Sequence, residues 1–195
     1  VNQLLVGQVA AEDALLGTEE GPDLLPATIE LAMAEQLLAS RQGRERLLGT
    51  SLKPLLGRYD FIVLDCPPTL GILTIVGLTA AQGVLIPLQC ETLSHRGVGQ
   101  LLDTIYDVKK FTNRGLHVIG VLPTLFDGRT THGRTVLERI GDDYGVTVLS
   151  PAIPKSVRFA EAPAVGQTVL RTARTSKGAV AYRELAAQLL KLRAS

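Results

Sequence analysis

Four short apolar runs, rich in β-branched residues, stand out from the more polar sequence around them. They are Phe61–Leu64, Val84–Leu88, Val118–Leu122 and Val146–Leu149. Their apolar residues are nearly continuous and do not alternate with polar ones, which is typical of strands that are covered on both faces. The pattern therefore predicts four buried strands.

Segments with helical spacing lie after and between these runs. Apolar residues recur every three or four positions in three of them, which predicts amphipathic helices. They are Val98, Leu101, Leu102, Ile105 and Val108 in the first, Val136, Leu137, Ile140 and Tyr144 in the second, and Tyr182, Leu185, Leu189 and Leu192 in the third. Strands that alternate with helices indicate an α/β fold with a mostly parallel sheet flanked by helices.

The first 58 residues have a weaker pattern. Leu24–Ala27 suits a short strand, Glu30–Ser40 a helix, and Gln42–Leu56 a second helix with Pro54 near its end. No internal repeat, low-complexity tract or linker interrupts the sequence. A single domain over residues 1–195 is therefore expected.

The composition narrows the class of protein. The chain has 195 residues, of which 46% are hydrophobic and 20% charged, as in an ordinary globular domain. No apolar run approaches the roughly 18 residues needed to cross a bilayer, and the N-terminus does not resemble a secretory signal. Cys66 and Cys90 form no Cys-x-x-Cys pair, which favours reduced thiols in a cytoplasmic protein.

The net charge of +1 hides an asymmetry along the chain. Residues 1–40 contain seven acidic side chains and no Lys or Arg, whereas residues 151–195 contain eight basic side chains and two acidic ones. A basic end is typical of a protein with a nucleic-acid partner, but a solvated helix face has the same composition. Composition alone favours the solvated face.

The sharpest local signal is the end of the first apolar run at Asp65, which Cys66, Pro67 and Pro68 follow at once. In open α/β sheets, ligands bind outside the carboxyl ends of the strands. A carboxylate at that place can hold Mg²⁺, often through water, beside the phosphates of a nucleotide. A simple turn or helix cap is the alternative for such an acidic strand end.

A phosphate-binding loop should accompany such a residue, with the pattern Gly-x-x-x-x-Gly-Lys-Ser/Thr. The chain has no Gly-Lys dipeptide. Gly128–Thr135 has the spacing, and a predicted strand precedes it and a predicted helix follows it. However, Arg134 replaces the required Lys, and the broad planar guanidinium is a poor substitute for a compact ammonium group. We therefore interpret this near match as a decoy.

Other constellations are weak. His95, His117 and His132 lack the spacing of metal ligands, and Ser94 next to His95 has no Gly-x-Ser-x-Gly elbow around it. Ordinary structural roles are the simpler interpretation for all four residues.

Beyond these local signals, the run Tyr59–Gly71 resembles the Walker B region of ParA-type partition ATPases, which are relatives of MinD. The resemblance continues along most of the chain. Pro87–Glu91 resembles the family's Pro-x-Gln-x-Glu strand end, and Leu122–Thr130 its Thr-x-x-Asp-x-Arg-Thr segment. Ile153–Pro163 resembles its Ile-Pro-Arg-Asn-Val-Arg signature, and Leu25–Leu31 also matches. Several ordered motifs make this resemblance specific.

The resemblance implies a P-loop NTPase-like fold and a DNA-segregation ATPase. In that family ATP and Mg²⁺ close a dimer that coats DNA non-specifically, and a ParB-type partner stimulates hydrolysis. Asp65 would serve Mg²⁺, and Pro67, Pro68, Thr69 and Gly71 would form the switch that responds to the γ-phosphate. Residues expected near the nucleotide are Thr124, Asp127, Pro154 and Val157, and those expected to contact DNA phosphates are Lys155, Arg158, Arg174 and Lys177.

The chain also departs from the family. No Lys-Gly-Gly-x-Gly-Lys-Thr-Thr loop and no Asp-x-Asp-Pro-Gln strand end is present, and Val1 falls just after the place where they would stand. We therefore expect a chain without the first βαβ unit, truncated by nature or by experiment, which hydrolyses no ATP alone and binds neither ATP nor Mg²⁺ tightly. Thr92–His95 and Lys155–Ser156 also differ from the usual family residues.

Two alternatives stay open at this stage. The first is a non-catalytic remnant that binds DNA or pairs with a second copy or an intact ParA. The second is a MinD-like ATPase that cycles on a membrane. It is the weaker one, because Leu185–Leu192 has its apolar residues at core spacing and no aromatic anchor. A cytoplasmic, nucleoid-associated protein with no membrane partner is expected.

Overall fold

The structure is a computed structural model that describes residues 1–89, 94–129 and 131–193. Its strands are β1 (Gly83–Gln89) and β2 (His117–Thr124), which are hydrogen-bonded neighbours. The helices are α1 (Asn2–Leu5), α2 (Leu31–Ala39), α3 (Leu47–Leu52), α4 (Ile72–Ala80), α5 (Ser94–Phe111), α6 (Thr131–Tyr144), α7 (Arg158–Ala164), α8 (Val169–Thr172) and α9 (Lys177–Arg193). Two 3₁₀ turns lie at Arg44–Arg46 and Lys53–Leu55. The α/β class predicted from the sequence is confirmed.

The predicted strands Val84–Leu88 and Val118–Leu122 are confirmed as β1 and β2. Two further segments lie parallel to the β2 chain, through bridges from Val121 to Val148 and from Phe126 to Pro154. Parallel pairing of this kind is what the alternation of strands and helices predicts.

The predicted strand Val146–Leu149 is wrong in extent, because it forms a single bridge. The residues on either side of Val148 bond to the backbone of Val121, over 2.8 Å in both cases. Gly145 lies in the left-handed region with a φ of 60° before this bridge. Pro151, which has no backbone N–H to donate, follows it. These two residues limit the ladder.

The prediction of a strand at Phe61–Leu64 is also wrong. The segment has no strand assignment, and its side chains alternate in exposure. Phe61 is 46% and Val63 87% exposed, whereas Ile62 and Leu64 pack against the core. The segment is therefore covered on one face only, which a continuous apolar run does not reveal.

The three amphipathic helices are confirmed as α5, α6 and α9. The predicted core face of α5 includes Val98, Ile105 and Val108, all of which are buried, and Ile140 in α6 and Leu185 in α9 are buried as well. The predicted core face of α9 is wrong at Tyr182. This residue is 38% exposed and packs edge-on against a neighbouring ring. The side chain of Leu192 lies outside the described residues.

The N-terminal predictions are confirmed in part. The helix at Glu30–Ser40 is α2. The single helix predicted over Gln42–Leu56 is wrong, because Gly43 has a φ of 67° and the rest divides into α3 and two 3₁₀ turns. Leu24 forms only an isolated antiparallel bridge to Leu16 in place of a short strand.

The chain divides into two compact units, Val1–Val84 with Leu101–His117 and Leu85–Gln100 with Val118–Ser195. Two clusters form the core of the first unit: Leu4, Ala11, Leu52 and Leu55, and Leu5, Leu38 and Val76. The second unit has a core of Leu122, Ile153, Ala181 and Leu185, against which Phe159 and Leu189 pack. Burial of these side chains is the main stabilising term in each unit. The single domain stays a prediction.

Candidate functional site

The predicted site residues fall into both units, and each group is described separately. In the first unit, Asp65 lies at the end of the extended segment that precedes α4, and its side chain is exposed. Pro67, Pro68 and Thr69 lead from there to Gly71, the residue before the first turn of α4. An exposed carboxylate at such a place is free to bind a hydrated cation.

Cys66 packs against α4 directly after Asp65. Its thiol lies so close to Gly77 that a β carbon there would be 2.8 Å from Sγ. The residue as a whole is exposed, but this contact partly buries the sulfur, and burial raises the pKa of the Cys66 thiol, with a smaller contribution from the charge of Asp65. The raised pKa keeps the thiol protonated at neutral pH, and the reduced state of the cysteines stays a prediction. Cys90 lies outside the described residues.

Two residues that the sequence did not single out hold the start of α4. Thr74, which is 5% exposed, donates its hydroxyl hydrogen to the carbonyl oxygen of Thr69 over 2.5 Å. Glu35 of α2 accepts a long hydrogen bond of 3.5 Å from the backbone N–H of Leu73. A polar residue in a largely apolar helix was the only sequence signal for Thr74, and Glu35 had none.

In the second unit, the chain beyond β2 lies beside the segment that carries Pro154. Ile153 donates its N–H to Pro123 over 2.8 Å, and Phe126 donates to Ile153 over 3.0 Å. Lys155 then donates to Phe126 over 3.2 Å. This short parallel ladder brings the Thr124–Asp127 segment next to Pro154 and Lys155, which were predicted from separate motifs.

Asp127 forms an ion pair with Arg129 in this region. Its carboxylate accepts hydrogen bonds from the backbone N–H, Nε and Nη2 of Arg129 over 3.1, 2.9 and 2.8 Å. These bonds lower the pKa of Asp127 to about 2, and the positive charge of Lys155 contributes a smaller part. Asp127 is therefore an anion at any physiological pH.

In the near match to a phosphate loop, the arginine binds the backbone of the same stretch. Arg134 donates from Nη2 to the carbonyl oxygen of Gly128 over 2.6 Å, so that the guanidinium closes the loop on itself. Thr130, within the Gly128–Thr135 stretch, lies outside the described residues. The prediction that this stretch is a decoy stays a prediction.

The predicted DNA-contact residues are all exposed, around the start of α7 and the start of α9. Arg158 forms an ion pair of 2.8 Å with Glu161, and the carbonyl oxygen of Arg174 accepts a bond from Arg183. Lys177 lines a groove of about 340 Å³ together with Pro154. Val157, just before α7, is 71% exposed. The predicted loop Ile153–Pro163 is therefore helical in its second half.

A cluster outside the predicted site surrounds His95, for which we expected only a structural role. Its Nε2 lies 2.8 Å from an oxygen of Asp143, and the hydroxyl of Tyr144 contacts both its Nδ1 and its carbonyl oxygen. The rings of His95 and Tyr144 are 4.8 Å apart. The contacts link the first turn of α5 to the last turn of α6, and they require no ligand.

Neither a metal cluster nor a membrane helix is found in the part of the chain that the structure describes. No three His, Cys, Asp or Glu side chains come together there as a metal-binding group. Among the same residues, no helix has the length and apolar character that a membrane span requires.

Comparison with known proteins gives the family. A family model described as an AAA domain matches residues 1–118. The sporulation initiation inhibitor protein Soj of Bacillus subtilis is 40% identical over 190 residues, which cover 97% of this chain and 75% of Soj. The chromosome partitioning protein ParA of Myxococcus xanthus is 39% identical over 168 residues, covering 86% of this chain and 59% of that protein. The chain belongs to the ParA-type family of partition ATPases. The family predicted from its motifs is thereby confirmed.

Solved structures support the fold. Cobyrinic acid a,c-diamide synthase of Mycobacterium smegmatis, with bound ADP and magnesium, has a TM-score of 0.85 and 49% identity, over 98% of this chain and 71% of that one. The cell division ATPase MinD of Pyrococcus furiosus has a TM-score of 0.77 at 22% identity, over 98% and 75%, and supports the fold alone. The ParA-type chain spans 60% of the length of two similar Mycobacterium tuberculosis proteins.

Proposed function

We propose that this protein acts in DNA partition, as a ParA-type protein whose family couples ATP binding and hydrolysis to dimerisation and non-specific DNA binding. The observation that carries the proposal is the 40% identity to Soj across 97% of the chain. The motifs that carry the resemblance lie in both compact units. We further propose a ParB-type protein as partner, a second copy or another ParA as dimer mate, and the nucleoid within the cytoplasm as location.

For Mg²⁺, the donor that fits is Asp65. Its exposed carboxylate at the end of an apolar segment is the kind of oxygen ligand that this cation takes, directly or through water. Pro67–Gly71 is proposed as the switch, which is supported by its position between Asp65 and α4. Bound Mg-ATP would supply the phosphoanhydride that the family hydrolyses.

For the nucleotide base, we propose the ladder between the end of β2 and Pro154. Thr124 and Asp127 lie on one side of it, and Pro154 and the exposed Val157 lie on the other. Apolar contacts with a few fixed polar groups are typical of nucleotide pockets, and these four residues offer both. The low pKa of Asp127 keeps its charge constant at neutral pH.

The 195 residues contain no Gly-x-x-x-x-Gly-Lys-Ser/Thr motif. Because that loop provides the backbone N–H groups that hold the phosphates, we propose that residues 1–195 alone bind ATP weakly and do not hydrolyse it. Isothermal titration with Mg-ATP tests this. Binding in the micromolar range by residues 1–195 would contradict it.

For DNA, we propose that Lys155, Arg158, Arg174 and Lys177 contact phosphates. Replacement of both Arg174 and Lys177 by Ala is expected to lower the log–log slope of binding against salt by about two units, since each neutralised phosphate contributes about one. The matched control replaces Lys109 and Lys110, two exposed cations of α5.

Electrophoretic mobility shift with a non-specific duplex at several salt concentrations measures this. An equal loss in the two double variants would mean that total charge alone decides binding. No binding by the wild-type protein at low salt would contradict the DNA part of the proposal.

The alternative of a non-catalytic module for DNA or protein binding differs in one outcome. Such a module binds DNA to the same extent with and without Mg-ATP. Mg-ATP also does not stimulate its DNA binding when it is mixed with an intact ParA. A stimulation of DNA binding by Mg-ATP in that mixture favours the partition function instead.

A second candidate function rests on the 49% identity to cobyrinic acid a,c-diamide synthase of Mycobacterium smegmatis. It predicts that the protein forms the a,c-diamide from cobyrinic acid, given Mg-ATP and a nitrogen donor. Conversion detected by mass spectrometry would favour it. DNA binding without any conversion would favour partition.

A further inference from the structure

Helix α4 begins at a residue that offers no side chain of its own as a cap. Gly71 is the residue before its first turn, and the first N–H groups of a helix have no partner within the helix. Helices commonly satisfy one of them with a Ser, Thr, Asp or Asn at this position. At α4 the acceptor comes from elsewhere in the first unit.

Glu35 of α2 supplies that acceptor. Its Oε1 lies 3.5 Å from the backbone N of Leu73, in the first turn of α4, and its side chain is half-buried. A carboxylate near a helix N-terminus is also stabilised by the helix dipole. At 3.5 Å the bond is at the outer limit of hydrogen-bond distance, so it is a weak one.

The same carboxylate lies in the space that a side chain at residue 71 would enter. A β carbon at Gly71 would lie 2.7 Å from Oε1 of Glu35. The φ of Gly71 is −81°, which any residue can adopt, so a larger residue at this position would displace the Glu35 carboxylate and would not strain the backbone.

Thr74 restrains the same segment from the helix side. Its buried hydroxyl donates to the carbonyl oxygen of Thr69, two residues before Gly71. The segment Pro67–Gly71 is thus held by one contact at Thr69 and by one at Gly71 and Leu73. Of the two, only the Glu35 contact comes from another element, α2.

We propose that Glu35 is a positioning residue, which sets the conformation of Pro67–Gly71 by holding Gly71 and Leu73 against α2. A regulatory role of Glu35 at the switch rests on the proposed function. The contact itself does not, because it joins residues of this chain only. Movement of α2 would change the segment through this carboxylate.

The chain has no Trp, so Leu70→Trp places a single fluorescent reporter in the segment at an exposed position. In this background, Glu35→Ala is expected to shift the emission maximum and to speed hydrogen exchange at the Leu73 amide at least tenfold. Glu35→Gln keeps an oxygen acceptor and should restore part of the protection. Glu30→Ala, which removes another carboxylate near the start of α2, is the matched control and should change neither signal.

A double-mutant cycle tests the direct contact. Gly71→Ala should destabilise the wild type, and Glu35→Ala should relieve most of that loss because the methyl group then has room. Unchanged emission and exchange in Glu35→Ala, or the same effect of Gly71→Ala with and without Glu35, would overturn the proposal. These readouts use no ATP or DNA, so a failure of the proposed partition function leaves them interpretable.

Discussion

Gly178 at the start of α9 lies directly against the ring of Phe159 in α7, and the ring occupies the space that a side chain at residue 178 would need. The ring also packs edge-on against Tyr182, at 5.8 Å between centroids, so it has little freedom to move away. The junction of α7 and α9 therefore depends on the absence of a single β carbon.

Gly178→Ala is expected to lower the free energy of unfolding by about 1–3 kcal/mol, the usual cost of overpacking a well-packed site. Gly97→Ala is the matched control, because Gly97 is also helical and a β carbon there meets nothing within 4 Å. It should stabilise by up to about 1 kcal/mol through helix propensity. Urea unfolding measures both, and a Gly178→Ala protein as stable as wild type would contradict the contact.

Arg129→Ala is expected to raise the pKa of Asp127 from about 2 part of the way towards its ordinary value of 3.8, because the side-chain hydrogen bonds from Arg129 are the largest cause of the shift. The backbone N–H of residue 129 stays as a donor in the variant. A carboxyl group with a lowered folded-state pKa stabilises the fold above its unfolded pKa, and it loses that contribution as the pH falls through the folded value. The pH dependence due to Asp127 should therefore lie between about pH 4 and pH 2 and become smaller in Arg129→Ala.

Carbon-13 NMR of the Asp127 carboxyl across this range gives the pKa directly. Arg134→Ala is the control, since Arg134 donates to the carbonyl oxygen of Gly128 and not to the carboxylate. An equal shift in both variants would mean that general charge, and not the hydrogen bonds, lowers the pKa.

The sequence predicted those parts of the fold in which the hydrophobic pattern fits a single type of secondary structure. Val84–Leu88 and Val118–Leu122 are strands, as their short continuous apolar runs predict, although only the second is buried along most of its length and Pro87 in the first is exposed. Phe61–Leu64 has the same kind of run but only one covered face, and the exposed Val63 on the other face cannot be told from a buried residue by its type. The hydrophobic pattern depends only on residue types, whereas the burial of a residue depends on which parts of the folded chain pack against it.

The candidate site was predicted to the extent that its contacts are local or lie in motifs. Asp127 and Arg129 are two positions apart, and both belong to one motif of the family. Glu35 lies 38 positions from Leu73, and no spacing rule connects an acidic residue of one helix with the first turn of another. Such caps depend on the tertiary arrangement and become visible only in the folded chain.

Thr74→Val tests the hydrogen bond that holds Thr69. Valine keeps the shape of the side chain but leaves the carbonyl oxygen of Thr69 without its donor, so the expected loss is about 1–2 kcal/mol of unfolding free energy. The control is Thr172→Val, whose hydroxyl makes the same kind of bond, to Thr168, at an exposed position. That change should stay within about 0.5 kcal/mol. Similar losses in the two variants, measured by urea unfolding, would mean that the buried bond has no special weight.

The Tyr144 hydroxyl lies close to the backbone of Gly99, and this contact allows the packing of α5 against α6 to be tested. A β carbon at Gly99 would lie 2.7 Å from this hydroxyl oxygen. The oxygen is held in place by bonds of 3.1 and 3.2 Å to the carbonyl and Nδ1 of His95. Gly99→Ala should therefore destabilise the wild type by about 1–2 kcal/mol.

In a Tyr144→Phe background the same substitution should cost less, because the clash with the hydroxyl is gone and only the contacts with ring carbons at 3.3 and 3.4 Å remain. The helix propensity of Ala, about 1 kcal/mol above that of Gly, then offsets much of the remaining cost. The coupling energy of the cycle is expected at about 1–2 kcal/mol, as for residues in direct contact. Gly97→Ala should instead add independently to Tyr144→Phe, since no atom lies within 4 Å of its β position. If Gly99→Ala costs the same in both backgrounds, the Tyr144 hydroxyl does not limit the space at α5, and the junction must be fixed by the neighbouring ring packing of His95 and Tyr144 instead.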